Sequence, residues 1–353
     1  PYFSYFYKVD FNGKNLKMLT PSIGDHTITI SPNAKYFIDS YSQVDLPPIH
    51  EVRDMNGKLV STLEKTDISR LTATGWKPPT PFTVKSAQGQ WDLYGLLFTP
   101  KAMKLDEKLP VIVNIYPGPQ GGSVGSWSFI ASRGDNQALA ELGFVVVQIE
   151  GSCNPNRSKS FHDACYGNMG ENTLPDQISG LKQLQEKYEF LDLDNVGIWG
   201  HSGGGFATAA AMFKYPDFFK VGISESGNHD NRNYEDDWGE RYIGLETKDN
   251  NGVSNYEKQA NQIFAKDLKG KLLLIHGGMD DNVPPYNSYL VVDALIKANK
   301  DFDFILLPNA RHGYGKDSYY IMRRRWDYFV QNLMHAVPPK EYVIKIAADP
   351  RNK

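Results

Sequence analysis

The sequence predicts an α/β chain: a doubly wound, mostly parallel sheet, preceded by a fragment of all-β structure. Three observations carry this expectation. From about residue 110, short continuous apolar runs alternate with helical patterns. Over residues 1–75 the apolar runs alternate instead with turn residues. A proline-rich segment at 76–81, WKPPTP, separates the two rhythms.

The first part reads as strand, turn, strand. Apolar runs at Tyr2–Val9, Thr27–Ile30, Tyr36–Ser40, Ile49–Arg53 and Lys58–Leu63 are punctuated by Asn12-Gly13, Ser31-Pro32-Asn33 and Asn56-Gly57. Asn-Gly between apolar runs is a strong hairpin signal. The stretches YKVDFNGKNLKMLT and ITISPNAKYFIDSYS look like β-propeller blade sequence, enough for one to two blades. A closed propeller takes roughly four to eight. The fragment is therefore expected to be part of a truncated propeller, since a few unclosed strands are unstable alone. The three prolines of 76–81 predict a linker without regular structure. The following PFTVKSAQGQWDLYGLLFTP predicts a hairpin.

Six strands are predicted beyond it: VIVNIY (111–116), FVVVQIE (144–150), NVGIWG (195–200), KVGISES (220–226), KLLLIHG (271–277) and FDFILLP (302–308). Apolar runs of this kind suit parallel strands buried on both faces. Helical patterns between them place helices on both sides of the sheet. The site of such a sheet lies at the carboxyl ends of its strands. The expected division is 1–75, 76–340 and a tail at 341–353.

Length and composition agree. The 353 residues, 41% of them hydrophobic, suffice for one large domain and a smaller piece. The net charge of −3 and the absence of a basic block argue against nucleic acid, because Arg323, Arg324 and Arg325 fall in a helical pattern. No apolar run approaches the ~20 residues of a membrane span. The chain opens on Pro1, which reads as a processed chain or an excised piece. Two cysteines, Cys153 and Cys165, lack the spacing and partners of a zinc site, so no metal is expected. Whether they pair stays open at this level.

The chemistry centres on Gly200-His201-Ser202-Gly203-Gly204. This G-x-S-x-G sits between a strand and a helix, the context of the nucleophile elbow of an α/β-hydrolase. Its serine needs a base, and the base an orienting acid, in the chain order Ser, acid, His. Asp280 follows the strand ending in LLLIHG, and His312 follows FILLP, so both reach the sheet edge that carries Ser202. Asp281 is the neighbouring alternative. His162, His201, His229 and His276 lack this placement; His201 is expected to pack beneath the elbow, and His276 to be structural. An oxyanion needs two donors. The Gly203 N–H is one, and the hydroxyl of Tyr116, in the loop YPGPQGG, is positioned to be the other.

Together, YPGPQ, GIWGHSGGGFATAAAM, NYEDDWGERYIGL, LLIHGGMDDNVPP and ARHGYG resemble the prolyl oligopeptidase family of serine peptidases, within it the dipeptidyl peptidase IV branch. The likeness covers about residues 80–335. It implies an α/β-hydrolase domain capped by a β-propeller, with Tyr116 and Gly203 as oxyanion donors. It also implies a specificity pocket built from Tyr234, Trp238 and Tyr242, with Asn282 on a substrate carbonyl and Val283 in the wall. Aromatic walls suit a proline ring. Trp238 stands where the branch often has tyrosine, and the Glu-Glu pair that grips a substrate amino group in this branch occurs nowhere in this chain. The implied activity is release of N-terminal dipeptides after Pro or Ala. An acylaminoacyl peptidase, an oligopeptidase or a catalytically silent binding module are the alternatives. No cofactor is implied. The partners implied are a peptide substrate and a second copy of the chain, in an extracytoplasmic setting.

Overall fold

In the computed structural model, which describes residues 2–345 except Leu105 and Asn172, the first rhythm becomes a two-stranded and a four-stranded sheet and the second an eight-stranded sheet. Within the expected tail, residues 346–353 lie outside those described. A ladder of β1 (Tyr7–Lys8) and β2 (Lys17–Met18) precedes an antiparallel meander of β3 (Asp25–Ile30), β4 (Tyr36–Ser42), β5 (Ile49–Asp54) and β6 (Leu59–Lys65). Four strands make one blade. The Tyr2–Val9 run gives only the short β1, because the Ser4 and Phe6 N–H groups donate to the Asp25 and Thr20 side chains instead of a ladder. Few apolar residues are buried here, and a charged network ties the strands: His26 Nδ1 to Asp39 at 2.7 Å, and Arg53 to Asp39 at 3.2 Å and to Glu51 at 2.6 Å. The whole of β6 is exposed.

A short helix, α1 (Ser69–Thr72), leads into the segment 76–81. That segment is not wholly irregular, as Thr80 and Pro81 already belong to β7 (Thr80–Lys85). β7 is the last strand of its sheet, and an edge strand tolerates the missing proline donor. It pairs antiparallel with β8 (Asp92–Phe98), the predicted hairpin.

Beyond the hairpin come β9 (Leu109–Asn114), β10 (Val145–Ile149), β11 (Leu191–His201), β12 (Phe219–Glu225), β13 (Lys271–Gly277) and β14 (Asp303–Leu307). The eight-stranded order is β14-β13-β12-β11-β9-β10-β8-β7, parallel from β14 to β10. Around it lie α2 (Asn136–Glu141), α3 (Lys159–His162), α4 (Leu174–Lys187), α5 (Gly203–Lys214), α6 (Asp236–Tyr242), α7 (Tyr286–Lys297) and α8 (Ser318–Asn332). The strands bury both faces by alternation. Val111 and Val113 join one core with Leu181 of α4, Ala207 of α5 and Val291 of α7. Ile112 joins the other with Leu139 of α2 and Phe329 of α8. β14 departs from the expectation of a fully buried strand. It is the opposite edge and is half-exposed.

The N-terminal part meets the loops beside the larger sheet. Ser42 Oγ accepts from Phe129 N–H, Val44 packs in the second core beside Val124, and the Tyr2 ring stacks on Trp127 while its hydroxyl donates to Glu150.

Candidate active site

β11 runs straight into α5, and Ser202 is the hinge between them. Its φ of 59° and ψ of −122° lie where a non-glycine residue is strained. The turn is held by hydrogen bonds from Ser202 N–H to Glu225 O (2.8 Å) and from Phe206 N–H to Ser202 O (3.0 Å). Its sharpness needs bare backbone two residues to either side. A Cβ on Gly200 would lie 2.3 Å from Ile115 O, and one on Gly204 only 2.2 Å from the same atom. Such distances exclude any side chain. Ser202 is thereby lifted off the sheet, with α5 starting behind it.

β13 delivers Asp280 and β14 delivers His312 to the same edge. His312 Nδ1 lies 2.7 Å from Asp280 Oδ2. Asp280 Oδ1 accepts from the N–H groups of Asn282 (3.1 Å) and Val283 (2.9 Å). Burial alone would raise the Asp280 pKa. Hydrogen bonds from His276, His312 and Val283 outweigh it and hold the carboxyl far below the usual range. It is a fixed anion. His276 has the structural role expected of it: Nε2–H donates to Val283 O at 2.9 Å, Nδ1 faces Ser288 Oγ at 2.7 Å, and the ring is fully buried. Asp281 points away into an exposed pair with Arg311. No hydrogen bond joins Ser202 Oγ to His312. Such contacts are often loose without substrate and tighten when it binds.

His201 does not pack beneath the elbow. Its ring stands beside His312, with centroids 4.5 Å apart, and is partly exposed; Nδ1 lies 3.8 Å from Glu225. The place beneath is taken by a charged cluster absent from the sequence reading. Arg325 of α8 donates to Glu225 at the end of β12 (2.9 Å) and to Asp135 (2.7 Å), and its guanidinium lies 3.5 Å from the Trp199 ring centroid. The last of three arginines in a helical pattern carries no signal for this, because its partners are 100 and 190 residues away.

The Tyr116 ring covers the start of α5. A Cβ on Gly203 would meet Tyr116 Cε2 and Cζ at 3.9 Å. No protein acceptor takes the Gly203 N–H, the first turn of a helix leaving such donors free. The loop bearing Tyr116 is pinned at three points: Pro119 O accepts from His162 Nε2 (2.7 Å), and Gly118 O and Gly121 O accept from Asn154 (3.1 and 2.7 Å). Gln120 donates to the Tyr116 hydroxyl at 3.2 Å and accepts from Trp238 Nε1 at 3.3 Å.

A tight cleft with about 10 Å³ of free volume, roughly the room of one water, opens beside Ser202 and Gly203. Tyr234 and Trp238 line it, together with Phe206 and Met169. Tyr242, Asn282 and Val283 do not. Tyr242 packs edge-on to Trp238, at 5.3 Å between centroids, and lines a neighbouring hollow with His162 and Arg241, which shares Met169 with the cleft. Val283 is completely buried and has no surface to offer a cavity, and Asn282 is exposed outside it. Both act on the site through the backbone N–H groups that hold Asp280. Met169 and Gln120 were not predictable as lining, since each depends on a loop path rather than a periodic pattern.

Behind the cleft, fully buried His229 accepts from Asn261 Nδ2 at Nδ1 (3.0 Å). Burial pushes its pKa down to about 3, with the charge of His276 adding to the effect. The unfolded chain takes up this proton near pH 6.5, the folded chain only near pH 3. The contribution is whole above pH 6.5 and is lost as pH falls toward 3, at up to ~1.4 kcal/mol per pH unit. In urea unfolding at pH 7, 6 and 5, His229→Gln should show a shallower loss than the parent. Identical slopes would refute the assignment.

Comparison with known proteins places this geometry. Residues 129–336, more than half of the chain, match the prolyl oligopeptidase family, and residues 1–48 match the dipeptidyl peptidase IV N-terminal region. Human dipeptidyl peptidase 8 is 30% identical over 85% of this chain and 34% of its own length. Venom dipeptidyl peptidase 4 of Vespula vulgaris is 32% identical over 65% of this chain and 30% of its own. The crystal structure of Porphyromonas gingivalis dipeptidyl peptidase 4 superposes with a TM-score of 0.81 at 26% identity, covering 93% of this chain and 46% of that one. The chain thus spans about a third of the length of these curated relatives. Among the described residues no helix is long and apolar enough to cross a membrane. With its eight-stranded sheet, its strained Ser202 at the end of β11 and a match over more than half its length, the chain belongs to the prolyl oligopeptidase family.

Proposed function

We propose that this chain is the catalytic part of a serine peptidase that releases N-terminal dipeptides with Pro or Ala next to the scissile bond. The observation that carries this is the 2.7 Å Asp280–His312 contact at the sheet edge that presents the strained Ser202. Ser202 Oγ attacks the carbonyl carbon while His312 Nε2 takes its proton, and Asp280 holds the tautomer that leaves Nε2 free. The Gly203 N–H and the Tyr116 hydroxyl receive the oxyanion, with the positive end of α5 behind it. His312 then protonates the leaving amine, and water hydrolyses the acyl-enzyme by the same path in reverse. Tyr234 and Trp238 take the apolar side chain before the scissile bond. The Cys153–Cys165 disulfide suits an oxidising, extracytoplasmic compartment. A homodimer would use the surface around α8, where Tyr319 and Tyr320 are exposed.

The test is fluorophosphonate labelling together with hydrolysis of a Gly-Pro chromogenic amide, with Ser202→Ala as control. Labelling and turnover that both vanish in the control are expected. Labelling with turnover only of N-blocked peptides would move the assignment to an acylaminoacyl peptidase or oligopeptidase. An unlabelled chain would overturn the hydrolase assignment.

A further inference from the structure

The loop between β10 and α4 carries the disulfide and then passes the cleft. Cys153 and Cys165 are bonded, with Cα atoms 5.8 Å apart. Four residues later comes Met169, 2% exposed, which lines the cleft with Ser202, Gly203, Phe206 and Trp238. Cys165 Sγ lies 3.9 Å from Met169 Sδ. The two belong to a small apolar cluster with Ile243, Tyr256, Trp238 and Tyr242, separate from both main cores.

We propose that Met169 is a specificity-determining residue, the inner wall of the pocket beside Ser202, and that the Cys153–Cys165 disulfide sets the pocket's depth by backing that wall. This rests on Ser202 being the nucleophile. The loop has little regular structure of its own, only the four-residue α3 and one tight turn at Asp163–Cys165. Near Met169 its noncovalent ties to other elements are Met169 N–H to Gln259 Oε1 (2.7 Å), Gly167 N–H to Tyr242 O (2.9 Å), Gln259 Nε2 to Gly167 O (3.1 Å) and Lys214 Nζ to Gly170 O (2.8 Å), all of them hydrogen bonds of the backbone that leave the thioether to its packing. Methionine is unbranched and adapts its shape to what surrounds it. A wall made of it is as firm as the atoms behind, and those atoms include Cys165 Sγ at 3.9 Å beside the Ile243 and Tyr256 side chains. Cys153 anchors the other end firmly, being buried and donating its N–H to Phe161 O at 2.9 Å. Breaking the bond would free Cys165 to withdraw, let the thioether follow and deepen the pocket.

The experiment uses the whole chain and p-nitrophenyl acetate, butyrate and hexanoate, small esters that need only the pocket and Ser202. The readout is the ratio of kcat/KM for hexanoate to that for acetate. Met169→Ala should raise it about tenfold or more, the scale on which a pocket discriminates methylenes. Met169→Leu, of similar volume, should move it less than about twofold. Parent protein reduced with a phosphine, alkylated and desalted should shift in the same direction as Met169→Ala, and this arm requires no variant to fold. Fluorophosphonate labelling accompanies every arm. An unlabelled parent removes the peptidase assignment and this proposal together. A labelled parent whose ratio is unmoved by both Met169→Ala and reduction overturns the proposal alone. A shift with Met169→Ala but none on reduction retains the wall and overturns the role of the disulfide.

Discussion

Replacing Asp280 with asparagine is expected to slow acylation of Ser202 by ~10⁴-fold, the scale of losing the correct histidine tautomer. The structure dictates which way the amide faces. Oδ1 is held by the N–H groups of Asn282 and Val283, which can only donate. The asparagine oxygen must stay there, so its NH2 group falls at the place of Oδ2, 2.7 Å from His312 Nδ1. That nitrogen would become an acceptor, and the imidazole proton would move to Nε2. A ring carrying its proton on Nε2 cannot accept one from Ser202. The same change removes the anion that stabilises the imidazolium formed during attack. Burst kinetics with p-nitrophenyl acetate measure the effect. Asp281→Asn is the matched control, because its carboxylate turns out to Arg311 and the exposed pair contributes little. A loss of less than tenfold in Asp280→Asn, or equal losses in the two variants, would show that Asp280 does not orient the base.

The second large effect concerns stability. Arg325→Met should lower folding stability by ~3–5 kcal/mol, the cost of leaving buried charge without its partner. Glu225 and Asp135 are both buried, and Arg325 links them from α8 across the ends of the central strands. Burial would raise the Glu225 pKa, but the neighbouring guanidinium reverses the sign and keeps the carboxylate ionised. Methionine matches the length of the stem and can still pack on Trp199, so the loss isolates the charge from the packing. Glu225 O also accepts the Ser202 N–H, which connects this cluster to the geometry of the elbow. Thermal unfolding should shift down by roughly 4–7 °C. Adding Asp135→Asn to the variant should recover part of the loss, as one stranded charge is removed. A shift under 1 °C would mean that water reaches the cluster and that it carries no such burden.

Much of this protein is written locally. The strands near 111–116, 144–150 and 271–277 were legible because apolar runs of that length fit only a sheet covered on both sides. The elbow was legible because its glycines answer a contact that every strand-turn-helix of this sharpness must make, here with Ile115 O. Chain order brought the Asp280-Asp281 pair and His312 to the same sheet edge, and only the side-chain directions separate the two acids, Asp280 facing His312 and Asp281 facing Arg311. Where two sequence rules met, the outcome was less local: Pro81 lies in a strand because β7 is an edge, and β14 is half-exposed for the same reason. Neither property is visible until the strand order is known.

The specificity pocket belongs to the tertiary structure. Tyr242 and Val283 stood in a suggestive pattern, but packing turned one edge-on to Trp238 and closed the other inside the fold. Met169, Gln120 and the Glu225–Arg325–Asp135 cluster are set by loops and by contacts between residues far apart in the chain. The parallel sheet and the strand-turn-helix elbow at Ser202 are legible in the chain alone, because they follow from short-range periodicity and from a turn that admits few residues. Which of Asp280 and Asp281 faces His312, which side chains wall the cleft, that Cys153 meets Cys165, and that Arg325 ties Glu225 to Asp135 all depend on distances that no spacing along the chain encodes.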